Sequence, residues 1–432
     1  MLYVPFAILV AALLFGVPIA FSLTLAGAFG LWITLGDVGQ VVEVVGTTVF
    51  SSVADYTLST VPLFILMAFL ASQSGVAREL FAALSSWTSN IRGGLAVATV
   101  GATGMFGALS GASTAAAAVM SQVAVPNMRS HGYADEVAAG AVAVGATTAI
   151  LIPPSIALVI YGLMTETSLG DLLIAGILPG VLLAVLLAAT ILIWVRINPT
   201  LAPETYPSSW SERVASLRGV WPSATLILLM LSLLYSGIAT PTEVGAIGAV
   251  SAMALGFALR RLTWQGVMIA VHQTLRASAM IFLIFIAAKI FGYYLSLSQI
   301  PQMLVTWVGH LAVNRWFIIV GIIAGYFVLS MFMDELPLMV ITLPLTFPII
   351  VSLGFDPVWF GVLTMMMIAM GLVFPPVGMV AFVVSASGGV ALSKVYKGTL
   401  FLILSIFAAT ALLMVFPEIA LYLPALVRGR EF

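Results

Sequence analysis

The sequence predicts an all-α polytopic membrane protein, built as an inverted repeat of two five-span halves that each hold a re-entrant hairpin and a proline-broken helix. Three observations support this fold class: the composition, a constant spacing between matching prolines, and the distribution of basic residues. Of the 432 residues, 62% are hydrophobic and 7% are charged, whereas about a quarter of a soluble domain is charged. Apolar segments of about 20 residues, long enough to span a bilayer, recur from end to end.

The composition also excludes several classes of function. The chain contains no cysteine, which excludes disulfides, thiol catalysis and cysteine-ligated metals. His131, His272 and His310 lie far apart and form no cluster of metal ligands. A net charge of −1 gives no tendency to bind nucleic acid, and the sequence contains no phosphate-loop motif. No cofactor is therefore expected.

The first repeat, residues 1–196, is predicted from its apolar segments. A stretch at 38–57 reads as an interfacial connector, and a hairpin turns around "SGAST". The predicted elements are spans near 4–20, 22–36 and 58–75, the hairpin at 94–127, the broken helix at 135–164 and a final span at 172–195.

The second repeat, residues 221–432, offers the same elements after a polar, proline-rich linker at 197–220. Its predicted elements are spans at 221–238, 243–259 and 278–297, a hairpin at 316–353, a broken helix at 358–386 and a final span near 398–417.

Matching positions in the two halves share one spacing. Pro153 and Pro375 lie 222 positions apart. The same offset pairs further residues in one ungapped register: Pro154 with Pro376, Pro126 with Pro348, Gly132 with Gly354, and Tyr133 with Phe355. Five such pairs indicate an internal repeat.

The basic residues predict the orientation, because cytoplasmic loops carry an excess of lysine and arginine. With the linker placed in the cytoplasm, eleven of the 15 basic residues fall inside, namely Arg78, Arg92, Arg129, Arg196, Arg213, Arg218, Arg260, Arg261, Arg276, Lys394 and Lys397. Five crossings per half is an odd number, so the halves are oppositely oriented and both termini lie outside. Inverted repeats with broken helices are typical of secondary transporters, whose binding site lies near the bilayer midplane.

A pair of adjacent prolines interrupts each broken helix, in "LIPPSIALVIYG" (151–162) and "VFPPVGMVAFVV" (373–384). Each pair removes two backbone donors, and irregular backbone at membrane depth survives only beside protein or a water-filled cavity. Freed carbonyls can coordinate a small cation, and N-terminal helix ends can face an anion. The alternative is a simple kink packed against its neighbours. The matching positions of the two pairs, each after a hairpin, favour a binding site.

The first hairpin tip supplies candidate ligands for sodium, because hydroxyl and backbone oxygens suit a hard cation and glycine permits close approach. Two threonines just before the first proline pair could face this tip. The sodium candidates are Ser110, Gly111, Ser113, Thr114, Thr147, Thr148 and Pro153, with Asp334, Gly371 and Pro375 in the second half. Small residues also let membrane helices pack closely, which is the interpretation for Gly101, Gly104 and the alanine run 115–118.

The second hairpin tip carries Asp334 and Glu335. An ionisable residue at membrane depth is costly and is a functional candidate by default. The alternative is a structural ion pair with Lys289, the one basic residue placed within a span. Lys289 could instead attract an anionic substrate or extend toward the membrane surface. The substrate candidates are Ser110, Ser155, Lys289, Asp334, Glu335 and Gly378.

Five motifs, taken together in their order along the chain, resemble the large membrane subunit of tripartite ATP-independent periplasmic (TRAP) transporters. They are "GALSGASTAAAAVM" (107–120), the first proline motif (151–162), "SLGDLLIAGILPG" (168–180), "FMDELPLMVITLPLTFPII" (332–350) and the second proline motif (373–384). The resemblance covers essentially the whole chain. It implies a non-enzymatic protein of the bacterial inner membrane that drives uptake of an organic acid, of carboxylate or sialic-acid type, with a sodium gradient. It also implies an elevator-type movement of a transport domain against a scaffold.

The resemblance further implies two partners, a small four-span membrane subunit and a periplasmic substrate-binding protein. A stand-alone ion-coupled carboxylate carrier of the same inverted-repeat fold is the alternative. An intramembrane serine protease is disfavoured, because such an enzyme needs a base beside its serine and no histidine is predicted at the depth of Ser110.

Overall fold

The computed structural model describes residues 3–203, 205, 208–311 and 313–429. Within these ranges the regular secondary structure consists of α-helices and short 3₁₀ turns, so the fold is all-helical. The helices that precede the linker are α1 (Val4–Leu14), α2 (Ile19–Leu35), α3 (Val38–Val53), α4 (Thr60–Gln73), α5 (Val76–Thr88), α6 (Gly94–Ser110), α7 (Ser113–Ser130), α8 (Asp135–Thr147), α9 (Ile156–Thr165), α10 (Leu169–Ala175) and α11 (Ile177–Ile197). Short 3₁₀ turns lie at Tyr56–Ser59, Thr148–Ile150 and Pro199–Leu201.

The second half also contains long helices, a hairpin and a broken helix. Its helices are α12 (Trp210–Ser236), α13 (Pro241–Ala258), α14 (Trp264–Leu297), α15 (Ile300–His310), α16 (Arg315–Ser330), α17 (Glu335–Ser352), α18 (Pro357–Gly371), α19 (Met379–Gly388), α20 (Leu392–Val415) and α21 (Glu418–Val427). Among the described residues, 7 helical segments are long and apolar enough to cross a membrane. The prediction of an all-α polytopic chain is confirmed at this level.

Several boundaries differ from the sequence prediction. The linker 197–220 is not wholly irregular, since α12 begins at Trp210, where Ser209 and Glu212 form a capping box that satisfies the first free backbone donors. Helix α14 begins at Trp264 and not near 278, because Thr263 accepts a hydrogen bond from the Gly266 N–H at 3.1 Å. The predicted connector at 38–57 contains helix α3.

The helices form two packed groups that meet mainly along α4, α5 and α14. Helices α2, α3 and α4 pack on α14, and α13 packs on α4 and α12; we call α1–α4 with α12–α14 the scaffold helices. The hairpins α6–α7 and α16–α17 pack with the broken helices and with α11 and α20. Small residues allow the closest approach in this second group: a Cβ added to Gly140 of α8 would lie 2.8 Å from the Cα of Gly398 in α20.

Candidate functional site

The tip of the first hairpin is a tight turn against the first proline pair. Helix α6 ends because Gly111 takes a left-handed conformation with φ of 65°, and its N–H caps the helix on the Gly107 carbonyl at 2.7 Å. The Gly111 carbonyl in turn accepts from the Ile156 N–H at 3.2 Å, at the start of α9. The N-terminal ends of α7 and α9 therefore meet at one turn, and both ends carry partial positive charge.

The first broken helix is interrupted between Thr147 and Ile156. The Pro153–Pro154 peptide bond is cis. Ser155 caps the second segment, accepting from the Leu158 N–H at 3.2 Å and donating to the Ile150 carbonyl at 2.5 Å. Because both hydrogen-bonding roles of this hydroxyl are used within the chain, Ser155 holds the break together.

The tip of the second hairpin places two carboxylates at the start of α17. Asp334 occupies the N-cap position but makes no side-chain cap, and its Oδ1 atom is buried without a hydrogen-bond partner. Glu335 is 5% exposed. The second broken helix lies against this hairpin, because the Gly378 N–H donates to the Met331 carbonyl at 2.9 Å. The Pro375–Pro376 peptide bond is also cis.

A direct hydrogen bond joins the two hairpin tips. The Ser113 hydroxyl donates to Glu335 Oε2 at 2.8 Å, and both side chains are buried. This bond gives the Glu335 carboxylate a donor at membrane depth, where an unpartnered charge is very costly. It also fixes the distance between the two turns.

A cavity of about 230 Å³ lies between the tips and the scaffold, and we call it the tip cavity. It brings together four of the predicted site residues, Ser110, Thr114, Asp334 and Glu335. The Ser110 hydroxyl has only long bonds of 3.4 Å to the carbonyls of Gly107 and Ala112. Since strong hydroxyl bonds are 2.5–3.0 Å long, this hydroxyl can turn to a ligand in the cavity.

The opposite wall of the tip cavity comes from apolar faces of the scaffold helices. From α4 it includes Phe69 and Ser72, and from α14 it includes Ala277, Met280 and Ile281. These residues could not be recognised from the sequence. They carry no motif, and the helices that hold them are apolar around most of their circumference.

Several predicted site residues do not line the tip cavity. The hydroxyls of Thr147 and Thr148 donate at 2.7 Å to carbonyls of their own helical turn, those of Val144 and Gly145. Thr148 packs beside Gly104, where an added Cβ would lie 2.8 Å from its Oγ1. The remaining candidates, Gly111, Ser113, Pro153, Gly371, Pro375 and Gly378, belong to the turns and breaks around the cavity.

Lys289 lies apart from the hairpin tips. It lines a separate cavity of about 420 Å³, and its Nζ is 5.4 Å from the centroid of the Phe285 ring. Within the described part of the chain no ion pair joins Lys289 to Asp334 or Glu335. The alternative of a structural ion pair is therefore wrong, because Lys289 is on α14 in the next cavity along that helix.

The chain is similar to known proteins over nearly its whole length. Residues 6–419 match the family described as the tripartite ATP-independent periplasmic transporter, DctM component. The C4-dicarboxylate TRAP transporter large permease protein DctM of Pseudomonas aeruginosa is 34% identical, over 93% of this chain and 93% of its own length. The ectoine TRAP transporter large permease protein TeaC of Halomonas elongata is 31% identical, over 96% and 97%. The sialic acid TRAP transporter large permease protein SiaM of Vibrio cholerae is 30% identical, over 96% and 96%.

Two solved transporter structures share the fold at low sequence identity. The YdaH transporter of Alcanivorax borkumensis has a TM-score of 0.62 at 15% identity, covering 88% of this chain and 90% of its own. MtrF of Neisseria gonorrhoeae, which represents a class of antimetabolite efflux pumps, has a TM-score of 0.60 at 14% identity, covering 86% and 84%. At such identities the likeness concerns the fold alone.

Proposed function

The chain belongs to the DctM family of TRAP transporters and is thus a multi-pass inner-membrane transport protein and not an enzyme, and from this premise we propose that it carries out sodium-gradient-driven uptake of an organic acid. The observation that carries the proposal is the tip cavity, where hydroxyls of one hairpin meet carboxylates of the other. Both turns interrupt helices at membrane depth, and such sites are built to bind ions and substrate.

A sodium site is supported by the oxygen atoms at the two tips. Asp334 Oδ1 is buried and lacks a hydrogen-bond donor, so a cation is a suitable partner for it. The weakly held Ser110 hydroxyl and the Thr114 hydroxyl line the same cavity. Hard cations prefer carboxylate, hydroxyl and carbonyl oxygens. Bound sodium would also offset the two adjacent negative charges of Asp334 and Glu335.

An anionic substrate is supported by the helix ends at the first tip. The N-terminal ends of α7 and α9 converge at Gly111 and favour negative charge. Bound sodium would add positive charge beside them, which makes substrate binding depend on sodium. C4-dicarboxylate, ectoine and sialic acid are named for the relatives, and we propose a carboxylate or a sialic acid for this chain.

The movement that we propose is of elevator type. The hairpins and broken helices pack as one group, which contacts α4 and α14 of the scaffold at the tip cavity, while α5 packs on both α6 and α12. Sliding the group along those two helices would carry the cavity across the membrane without opening the tips. The inverted repeat predicted from the 222-residue spacing of Pro153 and Pro375 would give the two end positions similar energies.

The experiment that tests the proposed function is uptake into proteoliposomes. Vesicles contain this chain alone, the chain with a small four-span membrane subunit, or both with a periplasmic binding protein. Radiolabelled succinate, sialic acid and ectoine are supplied under a sodium gradient. We expect uptake of an acid only with all three components, and none after the sodium gradient is dissipated. Substantial sodium-driven uptake by the chain alone would favour the stand-alone carrier, and uptake that is indifferent to sodium would contradict the coupling.

A further inference from the structure

One face of α14 borders three cavities in succession. The tip cavity is lined by Ala277 and Ile281. A narrow gap follows at Ile281, Ile284 and Phe285. The next cavity contacts Phe285, Ala288, Lys289, Gly292 and Ser296, and we call it the Lys289 cavity. These positions recur every three or four residues and so share one helix face.

The narrow gap separates the two larger cavities with apolar side chains alone. It encloses only about 10 Å³, between α14 and the residues Ile160, Leu336 and Val340 of α9 and α17. A hydrated anion cannot enter such a gap, and apolar constrictions close membrane pathways by excluding water. In this conformation the hairpin tips are therefore shut off from the Lys289 cavity.

The Lys289 cavity is the more polar end of this sequence of cavities. Beside the ammonium group it contains the side chains of Tyr293 and Ser296, and Met164 and Pro344 face them from α9 and α17. Lys289 is exposed to the cavity. Within the described part of the chain, its ammonium group contacts the face of the Phe285 ring and forms no ion pair. Eight residues, about 12 Å of helix, separate it from the end of α14 at Leu297.

We propose that the Lys289 cavity is an anion-binding vestibule on the outer side of the apolar gap, in which Lys289 binds a carboxylate group before it reaches the hairpin tips. The inference rests on the proposed function for the identity of the anion as substrate. Its physical basis is that a positive charge in a cleft with low-dielectric walls concentrates anions. With the orientation predicted from the basic residues, this end of α14 faces outward.

Cysteine labelling tests the vestibule without relying on transport. The chain has no cysteine, so Ser296→Cys gives a single reactive group in the Lys289 cavity. The purified protein in nanodiscs is treated with an anionic or a cationic methanethiosulfonate reagent of similar size. We expect the anionic reagent to react faster by about tenfold, the lower end of what a focused charge produces. Lys289→Gln should abolish that preference, and Lys289→Arg should keep it.

The matched control is Arg276→Gln, which removes an exposed cation from the same helix outside the three cavities. This change should leave the reagent preference intact. Equal rates for the two reagents, or no reaction with either, would overturn the proposal, because the lysine would then extend to the membrane surface or face lipid.

Transport kinetics provide a second readout. In the complete system, Lys289→Gln should raise the KM for succinate about tenfold and leave the sodium concentration dependence unchanged, whereas Lys289→Arg should restore the KM. A variant with normal KM contradicts the role of Lys289 in substrate entry. If no carboxylate is transported by the unaltered complex, the proposed function fails, and the labelling ratio still decides whether an anion vestibule exists.

Discussion

Ser113 donates a hydrogen bond to Glu335 at 2.8 Å, and the two residues lie 222 positions apart. This separation equals the spacing between the two proline pairs, so the residues that join the hairpin tips occupy matching places in the two halves. A matching pair in contact is what an inverted repeat with a local two-fold axis between its tips would produce. The bond therefore marks the point where the two halves of the site meet.

Ser113→Ala should lower stability more than removal of a comparable buried hydroxyl. It leaves the buried Glu335 carboxylate without its donor, and an unsatisfied buried group costs about 1–3 kcal/mol. The control is Ser121→Ala in the same helix, because the Ser121 hydroxyl donates at 2.6 Å to the Ala117 carbonyl. The measurement is the thermal unfolding midpoint in detergent. Equal midpoints for the two variants would show that the tip-to-tip bond adds no stability.

Glu335→Gln separates the hydrogen bond from the charge. A glutamine side-chain oxygen can still accept from Ser113, so the unfolding midpoint should stay close to that of the unaltered protein. Transport should change, since the tip cavity loses one negative charge. The sodium dependence of uptake checks this. A glutamine variant that is as unstable as Ser113→Ala would mean that the charge, and not the hydrogen bond, holds the tips.

Asp334→Asn should weaken sodium activation of uptake. The Asp334 Oδ1 atom is buried without a donor, and loss of a charged partner costs about 1.5–3 kcal/mol, which corresponds to roughly a tenfold or greater rise in the half-saturating sodium concentration. Asp356→Asn is the control, because Asp356 caps α18 through its Oδ1 and asparagine can cap equally well. Unchanged sodium activation in the Asp334 variant would remove this residue from the sodium site.

Ser110→Ala should have a smaller effect of the same kind. Its hydroxyl lines the tip cavity and has only long internal bonds, so its loss removes one neutral ligand, at about 0.5–1.5 kcal/mol. The half-saturating sodium concentration should rise by about two- to tenfold, and the amount of folded protein should be unaffected. Thr148→Ala is the matched comparison, since that hydroxyl bonds its own helix. If the two variants respond alike to sodium, Ser110 is not a ligand.

The positions of the first tip and of the two breaks could be predicted from the sequence, because a turn or a break inside an apolar segment needs glycine or proline; the second tip has neither residue, and only the 222-residue spacing located it at Asp334. Gly111 ends α6 with a positive φ, and Pro153 and Pro375 lie in the two breaks. The roles of these residues in binding stay predictions. The separation of Lys289 from Asp334 could not be predicted, because both lie in apolar segments and only the packing of α14 against α17 decides which cavity each one lines.

The wall of the tip cavity that the scaffold helices form, and the short amphipathic helices, could not be predicted from the sequence pattern either. Helix α4 contributes Phe69 and Ser72 to the tip cavity, yet it is apolar on most sides, so no periodicity distinguishes its cavity face from its lipid face. Helices α5 and α15 follow the spans of their halves and mix polar with apolar residues. They are only 13 and 11 residues long, so a search for membrane-length apolar runs passes over them.

Gly140→Ala should destabilise the protein, whereas Gly325→Ala should not. Both glycines lie inside helices, where alanine normally gains about 0.5–1 kcal/mol. A Cβ on Gly140 would lie 2.8 Å from the Gly398 Cα, and nothing lies within 4 Å of one on Gly325. Overpacking of this kind costs about 1–3 kcal/mol. The unfolding midpoints should therefore move in opposite directions, and parallel shifts would contradict the close packing of α8 on α20.

The predicted orientation places the linker inside and the C-terminal end outside. Single cysteines at Thr200 and Leu426, both exposed, should report it in intact cells with a membrane-impermeant thiol reagent. We expect Leu426→Cys to react from outside and Thr200→Cys to react only after the membrane is opened. The C-terminal segment tests the predicted orientation more strictly than the linker does. By the usual charge rule Arg428 favours a cytoplasmic location, but here it forms an ion pair with Asp171 of α10. This ion pair offsets the charge that would otherwise hold the segment inside. Labelling of both cysteines from the same side would refute the opposite orientation of the two halves.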